Sequence, residues 1–166
     1  MSKVAIIGAG VSGLSMANYL EKNNIDYHIY ERRTPNDLKG HGFILPKEGI
    51  EHLSSIINID DLYTKGSFLK KYHIKSTQSN VDYSQDGELI SQKDLDDVFV
   101  VSRSALIEIL AKGIPAEKIS YQTTVALNGF SDGKADITLD ENTPLEADIV
   151  VASDGSRSRI RRTIFE

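Results

Sequence analysis

The chain has 166 residues, 40% hydrophobic content, a formal net charge of −5 and no cysteine. That length and apolar content suffice for one domain with a real core. The missing cysteines exclude disulfides and thiolate metal sites, and the acidic balance, with a pI of about 5.4, argues against nucleic acid as a partner.

The amino terminus carries an apolar run too short for a signal h-region or a membrane span, so a cytoplasmic chain with no membrane partner is expected. Lys3 to Ile7 reads as a strand that runs into Gly8-Ala9-Gly10-Val11-Ser12-Gly13-Leu14 and then into an amphipathic helix ending near Lys22. A second strand, Tyr27 to Tyr30, closes on Glu31, eighteen residues beyond Gly13. Strand, glycine turn, helix and acid at this spacing form a dinucleotide fingerprint. Gly8 permits a turn that a side chain would forbid, Gly10 permits close approach of a pyrophosphate, and Gly13 permits tight helix–strand packing. The helix start, with Ala9, Val11 and Ser12 around it, offers N–H groups and a positive dipole end to the anion. Glu31 would accept hydrogen bonds from ribose hydroxyls and repel a 2′-phosphate, which argues against NADP at this site. FAD and NAD both place an ADP half in such a turn, and the residues do not choose between them.

Arg32 and Arg33 follow on a polar turn, where either could reach an adenine or the pyrophosphate, or simply face solvent. Gly40-His41-Gly42 reads as backbone pressed against something, a cofactor being one candidate, or as a loop before a strand. A helix is expected from about Lys47 to Ser55. Residues 66–101 change character: Phe68 to Lys75 and Val81 to Tyr83 partly alternate, and Asp86-Gly87 is a hairpin signal, so a small antiparallel sheet is expected. Lys93 to Asp97 has a metal-like composition but lacks the glycine and distal glutamate of a calcium loop, and it reads as a solvated turn. No metal is expected.

Ser102 caps a helix through Lys112 with Leu106, Ile109 and Leu110 as its buried stripe, and Gly113 ends it. Arg103 sits in the first turn, where the helix dipole disfavours a cation, and either a nearby anion or an acidic neighbour would resolve that conflict. Lys118 to Tyr121 reads as a strand, Val125 to Phe130 and Ala135 to Leu139 as a hairpin, and Ala147 to Ala152 as a buried parallel strand ending at Ser153-Asp154-Gly155. Ligands of open α/β sheets gather at such carboxyl ends. Asp154 and Gly155 are therefore candidate site residues.

Three ordered motifs, Gly8 to Leu14 with Glu31-Arg32, then Arg103-x-x-Leu106-x-x-x-Leu110, then Ala147 to Gly155 with Ser156, Ser158 and Arg161, resemble the single-component FAD-dependent aromatic hydroxylases of the p-hydroxybenzoate hydroxylase fold. The resemblance implies an α/β fold: a Rossmann-like FAD-binding domain of parallel sheet, helices and antiparallel β-meander (1–65 and 102–166), with 66–101 as a partial second antiparallel sheet of a substrate domain. It implies that the glycine turn and Glu31 hold the ADP half of FAD, that Arg103 contacts the flavin phosphates, that Asp154-Gly155 serves both FAD and NAD(P)H, and that the segment containing Gly42 approaches the flavin. Some members carry arginine where His41 falls, which leaves the role of His41 open. The implied activity is flavin reduction by NAD(P)H and insertion of one atom of O₂ into a small organic substrate. Members of this family run to about twice this length or more, so the chain resembles their amino-terminal portion. It is expected to leave the parallel sheet with an open edge suited to self-association or to pairing with a carboxyl-terminal half. The alternatives are an FAD-binding module without catalysis and an NAD-dependent oxidoreductase. No residue is identified as a catalytic proton donor or acceptor; Tyr72, His73 and Tyr83 read as cross-strand packing residues.

Overall fold

A computed structural model describes residues 3–37, 41–75 and 89–165. In chain order the elements are β1 (Val4–Ile7), α1 (Val11–Lys22), β2 (Tyr27–Glu31), β3 (Gly42–Leu45), α2 (Lys47–Ser54), α3 (Ile59–Lys65), β4 (Gly66–Lys75), β5 (Leu89–Ser102), α4 (Arg103–Ala111), β6 (Ile119–Tyr121), β7 (Val125–Ser131), β8 (Lys134–Leu139), β9 (Thr143–Ala147), β10 (Ile149–Ala152) and α5 (Arg159–Phe165). They build a parallel sheet of order β10-β1-β2-β6, an antiparallel sheet β3-β5-β4 and a meander β7-β8-β9. This is the mixed α/β architecture expected from the sequence.

The parallel sheet is the middle layer. Along β1 every residue is buried, because helices cover one face and the meander covers the other. Val4 and Ile6 join Leu14, Ala17, Ile29, Leu106 and Leu110 in the helical core. Ala5 and Ile7 point the other way, to Tyr30, Leu127, Ile137 and Ile160. The strict alternation is the period-2 geometry of a strand buried on both sides.

One polar side chain is sunk into the helical layer. Asn18, 6% exposed, donates its amide to Leu14 O at 2.8 Å and to Leu110 O at 2.7 Å. Leu110 is in the last turn of α4, whose carbonyls lack intrahelical partners, so Asn18 caps α4 from a different helix. A methyl group at Gly113 would run into Asn18 Oδ1. Gly113 thus ends the helix through close approach of α1, and not through a left-handed backbone. Replacing Asn18 with alanine leaves the Leu110 carbonyl without its donor and should cost about 1–3 kcal/mol, read as a lower urea midpoint at unchanged slope; an unmoved midpoint would contradict this role.

On the meander side, His28 Nε2 lies 2.8 Å from Ser120 Oγ and the ring packs on Tyr30 at 4.8 Å. Burial, helped by Lys3 and opposed by Asp26, pushes the His28 pKa below its ordinary value. The folded state therefore holds His28 neutral where the unfolded chain, titrating near 6.5, takes up a proton. This contribution to stability is complete above that pH and is lost as pH falls through the window between the two values. His28→Gln should accordingly show a smaller fall in Tm between pH 7.5 and pH 5 than the parent, whereas equal falls would rule the histidine out.

Several sequence expectations need correction. Lys93 to Asp97 is not a turn: it lies within β5, and Lys71 pairs with Asp94 across the ribbon at 3.4 Å. A ribbon reaching beyond the core has polar residues on both faces and so loses the alternation that marks a half-buried strand. The last parallel strand is not buried but is an edge, with Ile149 51% exposed, because β1 occupies only one of its sides. Ala147 belongs to β9 instead. Three elements were not anticipated: α3, β9 and α5. Val81 to Tyr83 and the Asp86-Gly87 hairpin lie outside the described residues.

Candidate functional site

The carboxyl ends of β10, β1 and β2 form one rim, and the three turns that leave them touch. Gly8 has φ +107, and a Cβ there would sit 2.5 Å from Ser153 O and 3.2 Å from Asp154 Cα. A methyl at Gly13 would collide with the Gly8 carbonyl oxygen. The protein itself thus requires both glycines. Gly10 differs: a Cβ there would meet no protein atom within 4 Å. Its backbone is ordinary for an L-residue, φ −79 and ψ −177, so Gly10 leaves an open cradle in front of the helix.

That cradle faces the start of α1, which has no side-chain cap and no acidic residue in its first turn. Its leading N–H groups, those of Val11, Ser12 and Gly13, lack intrahelical partners. Glu31, at the end of β2, flanks them. Its Oε2 accepts from Ala9 N and its Oε1 from Arg33 N, each at 2.8 Å. Arg32 is exposed on the turn beyond. Tyr121 ends β6 opposite Glu31; burial and then the Glu31 charge raise its phenol pKa. Tyr121 belongs to no sequence motif, and its position at the carboxyl end of a parallel strand was the usable signal for it.

Asp154 closes the other side of the rim. One carboxylate oxygen, Oδ2, accepts from Arg159 N at 2.7 Å and Ile160 N at 3.4 Å and so caps α5. The other, Oδ1, is buried with no partner among the described residues, which is costly unless something else donates to it. Gly155 has φ +89, a left-handed turn that lets the chain swing from the sheet edge into α5.

Gly42 and Arg103 form a second group. Gly42 opens β3 opposite Ser102, and a Cβ at Gly42 would stand 3.1 Å from Val101 O, so the close neighbour of this glycine is β5. Ser102 Oγ accepts from Ala105 N at 3.2 Å and caps α4, placing Arg103 in the first turn, half-buried and with no acidic residue beside it in that turn. His41 is exposed. An open depression of about 370 Å³ lies alongside, lined by Gly42, Ile44, Lys65, Ser67, Val100 and Ser102. Packing of α4 on α1 ties this group to the glycine turn. Among the described residues no His, Asp and Glu cluster is arranged to hold a metal, and no helix is long and apolar enough to cross a membrane.

A sheet edge with an open glycine cradle, an uncapped helix start and a flanking carboxylate defines a dinucleotide-binding α/β domain. More particularly, the chain belongs to the FAD binding domain family, which it matches over residues 1–165. The FAD-dependent monooxygenase esdpE of Penicillium shearii is 25% identical over 166 residues, which cover 98% of this chain and 34% of that protein. The 2-heptyl-3-hydroxy-4(1H)-quinolone synthase of Pseudomonas aeruginosa strain UCBPP-PA14 is 27% identical, over 98% of this chain and 42% of its own. Klebsiella pneumoniae HpxO, solved in complex with FAD and uric acid, has the same fold, with a TM-score of 0.77 at 20% identity, 98% coverage of this chain and 41% of its own. The chain spans roughly two fifths or less of the length of these proteins.

Proposed function

We propose that the chain is the FAD-binding part of a flavin-dependent monooxygenase that uses NAD(P)H and O₂ to hydroxylate an aromatic or related organic substrate. The observation that carries this reading is the contrast among the glycines: two are demanded by protein contacts, while Gly10 faces only open space beside an uncapped helix start. The buried, unpartnered Asp154 Oδ1 supports it.

In this reading the amides from Gly10 to Gly13 hold the pyrophosphate, Glu31, braced by the Ala9 amide, accepts from the ribose hydroxyls, and Arg32 flanks the adenosine. Asp154 and Gly155 line the opposite wall. Arg103 supplies the cation that balances the phosphates, its unfavourable place at a helix start being offset by that anion. Gly42 brings β3 toward the flavin end. When bound, FAD supplies the redox chemistry with nicotinamide and O₂. The residues of this chain bind and orient it.

Residues 1–65 with 102–166 make up the cofactor domain, and 66–101 belongs to a substrate domain. The half-exposed β10 edge is the surface for pairing with another strand, from a second copy or from a carboxyl-terminal half. A cytoplasmic location fits the cysteine-free composition.

Calorimetric titration tests the cofactor assignment. FAD should bind at one per chain, and more tightly than FMN, which lacks the ADP half that the glycine turn and Glu31 serve. NAD binding at one per chain without any flavin binding would overturn the reading in favour of an NAD-dependent oxidoreductase.

A further inference from the structure

Ser153 lies beneath the glycine turn. Its hydroxyl is 2.8 Å from Ile7 O and 3.1 Å from Gly8 O. Ile7 O also accepts from the Ser153 amide at 2.9 Å, whereas Gly8 O has no other donor among the described residues. The one hydroxyl hydrogen therefore bridges the two carbonyls and is the hydrogen bond that Gly8 O receives. Ser153 Oγ would be 2.7 Å from a Cβ on Gly13; it fills the slot that the missing side chain leaves.

The peptide between Gly8 and Ala9 is planar and trans, so its C=O and N–H point in opposite directions. Ser153 holds the oxygen end. Glu31 holds the other, since Ala9 N donates to Glu31 Oε2 at 2.8 Å. Gly8 is the residue of the turn with the most freedom to let this plane rotate, and rotation would break both bonds together. From this geometry we infer that Ser153 is a positioning residue: through the Gly8–Ala9 peptide plane it sets the Glu31 carboxylate for the adenosine ribose. The inference rests on the FAD reading for its consequence, but the clamp is a property of the ligand-free chain.

Two measurements on the full 166-residue chain test it. The first is hydrogen exchange of the Ala9 amide without ligand, by NMR. Ser153→Ala should speed that exchange by roughly 3- to 10-fold, the share of one hydrogen bond of ordinary net strength, and unchanged exchange would overturn the clamp. The second is FAD affinity in a double-mutant cycle. Ser153→Ala should weaken FAD by a similar factor in the parent, and by less than about twofold when Glu31 is already alanine, because coupled residues are not additive. Equal losses in both backgrounds would reduce Ser153 to a general structural role. If the alanine variant does not fold, Ser153→Cys, close in size with a weaker donor, should give intermediate Ala9 exchange, and parental exchange in that variant would count against the inference. A parent chain that binds no FAD would refute the proposed function, while the exchange measurement would still decide the role of Ser153.

Discussion

Alanine at Gly10 should leave the fold intact and remove cofactor binding. The new methyl meets no protein atom within 4 Å, and φ −79 suits alanine, so the ligand-free chain should keep its stability or gain up to about 1 kcal/mol from a stiffer unfolded state. The same methyl stands where phosphate oxygens must reach the helix amides. Losing one or two charge-assisted hydrogen bonds, at about 1.5–3 kcal/mol each, corresponds to a fall in FAD affinity of at least about 10-fold and, for two bonds, about 100-fold or more. Alanine at Gly13 should show the reverse order of effects. Its methyl collides with Gly8 O, which forces α1 away from β1 and costs about 1–3 kcal/mol before any ligand is added. Urea unfolding and FAD titration of the two variants measure the contrast. Equal destabilisation by both would mean that the cradle is filled by protein and is not a ligand site.

Glu31→Ala is the second large effect. The carboxylate now serves two backbone amides, Ala9 N and Arg33 N, and in the proposed complex it also accepts from ribose. The truncation should raise the FAD dissociation constant by roughly 30- to 100-fold, the worth of one strong hydrogen bond to a charged group together with the loss of its bracing of the turn. Stability should fall by only about 1 kcal/mol, because Glu31 is half-exposed and water can reach the freed amides. FMN binding should change far less than FAD binding. A parallel loss for both flavins would place Glu31 away from the adenosine.

Much of this site could be read in the sequence because its parts are local. Gly8, Gly10, Gly13 and Glu31 lie within 24 residues, and a tight turn into a helix dictates their spacing. Ser102 and Arg103 were likewise legible, since a helix cap is a short-range signal. Ser153 was not legible. A serine before Asp-Gly is unremarkable until the fold brings it against Gly8, 145 residues away. Asn18 carries no signal of its role in the sequence, and only its contact with Leu110 gives it a reason.

The missed elements have physical causes. Helix α3 is a single short run whose signal is its cap: Asn58 Oδ1 accepts from Asp60 N at 3.2 Å, with Asp60 and Asp61 in the first turn. Its seat comes from Leu62, fully buried, and from Tyr63 packed against Phe68 and Phe99, contacts that periodicity over seven residues cannot announce. Strand β9 carries Pro144, which ordinarily demotes a strand, and is tolerated because β9 is the outer strand of its meander.

The most direct measurement is the visible absorption spectrum of the purified chain after incubation with excess FAD and removal of what is free. Flavin bands near one FAD per chain are expected, abolished by Gly10→Ala in a protein that remains folded. A folded parent chain that emerges colourless would contradict the claim that the rim of Gly10, Glu31 and Asp154 holds FAD.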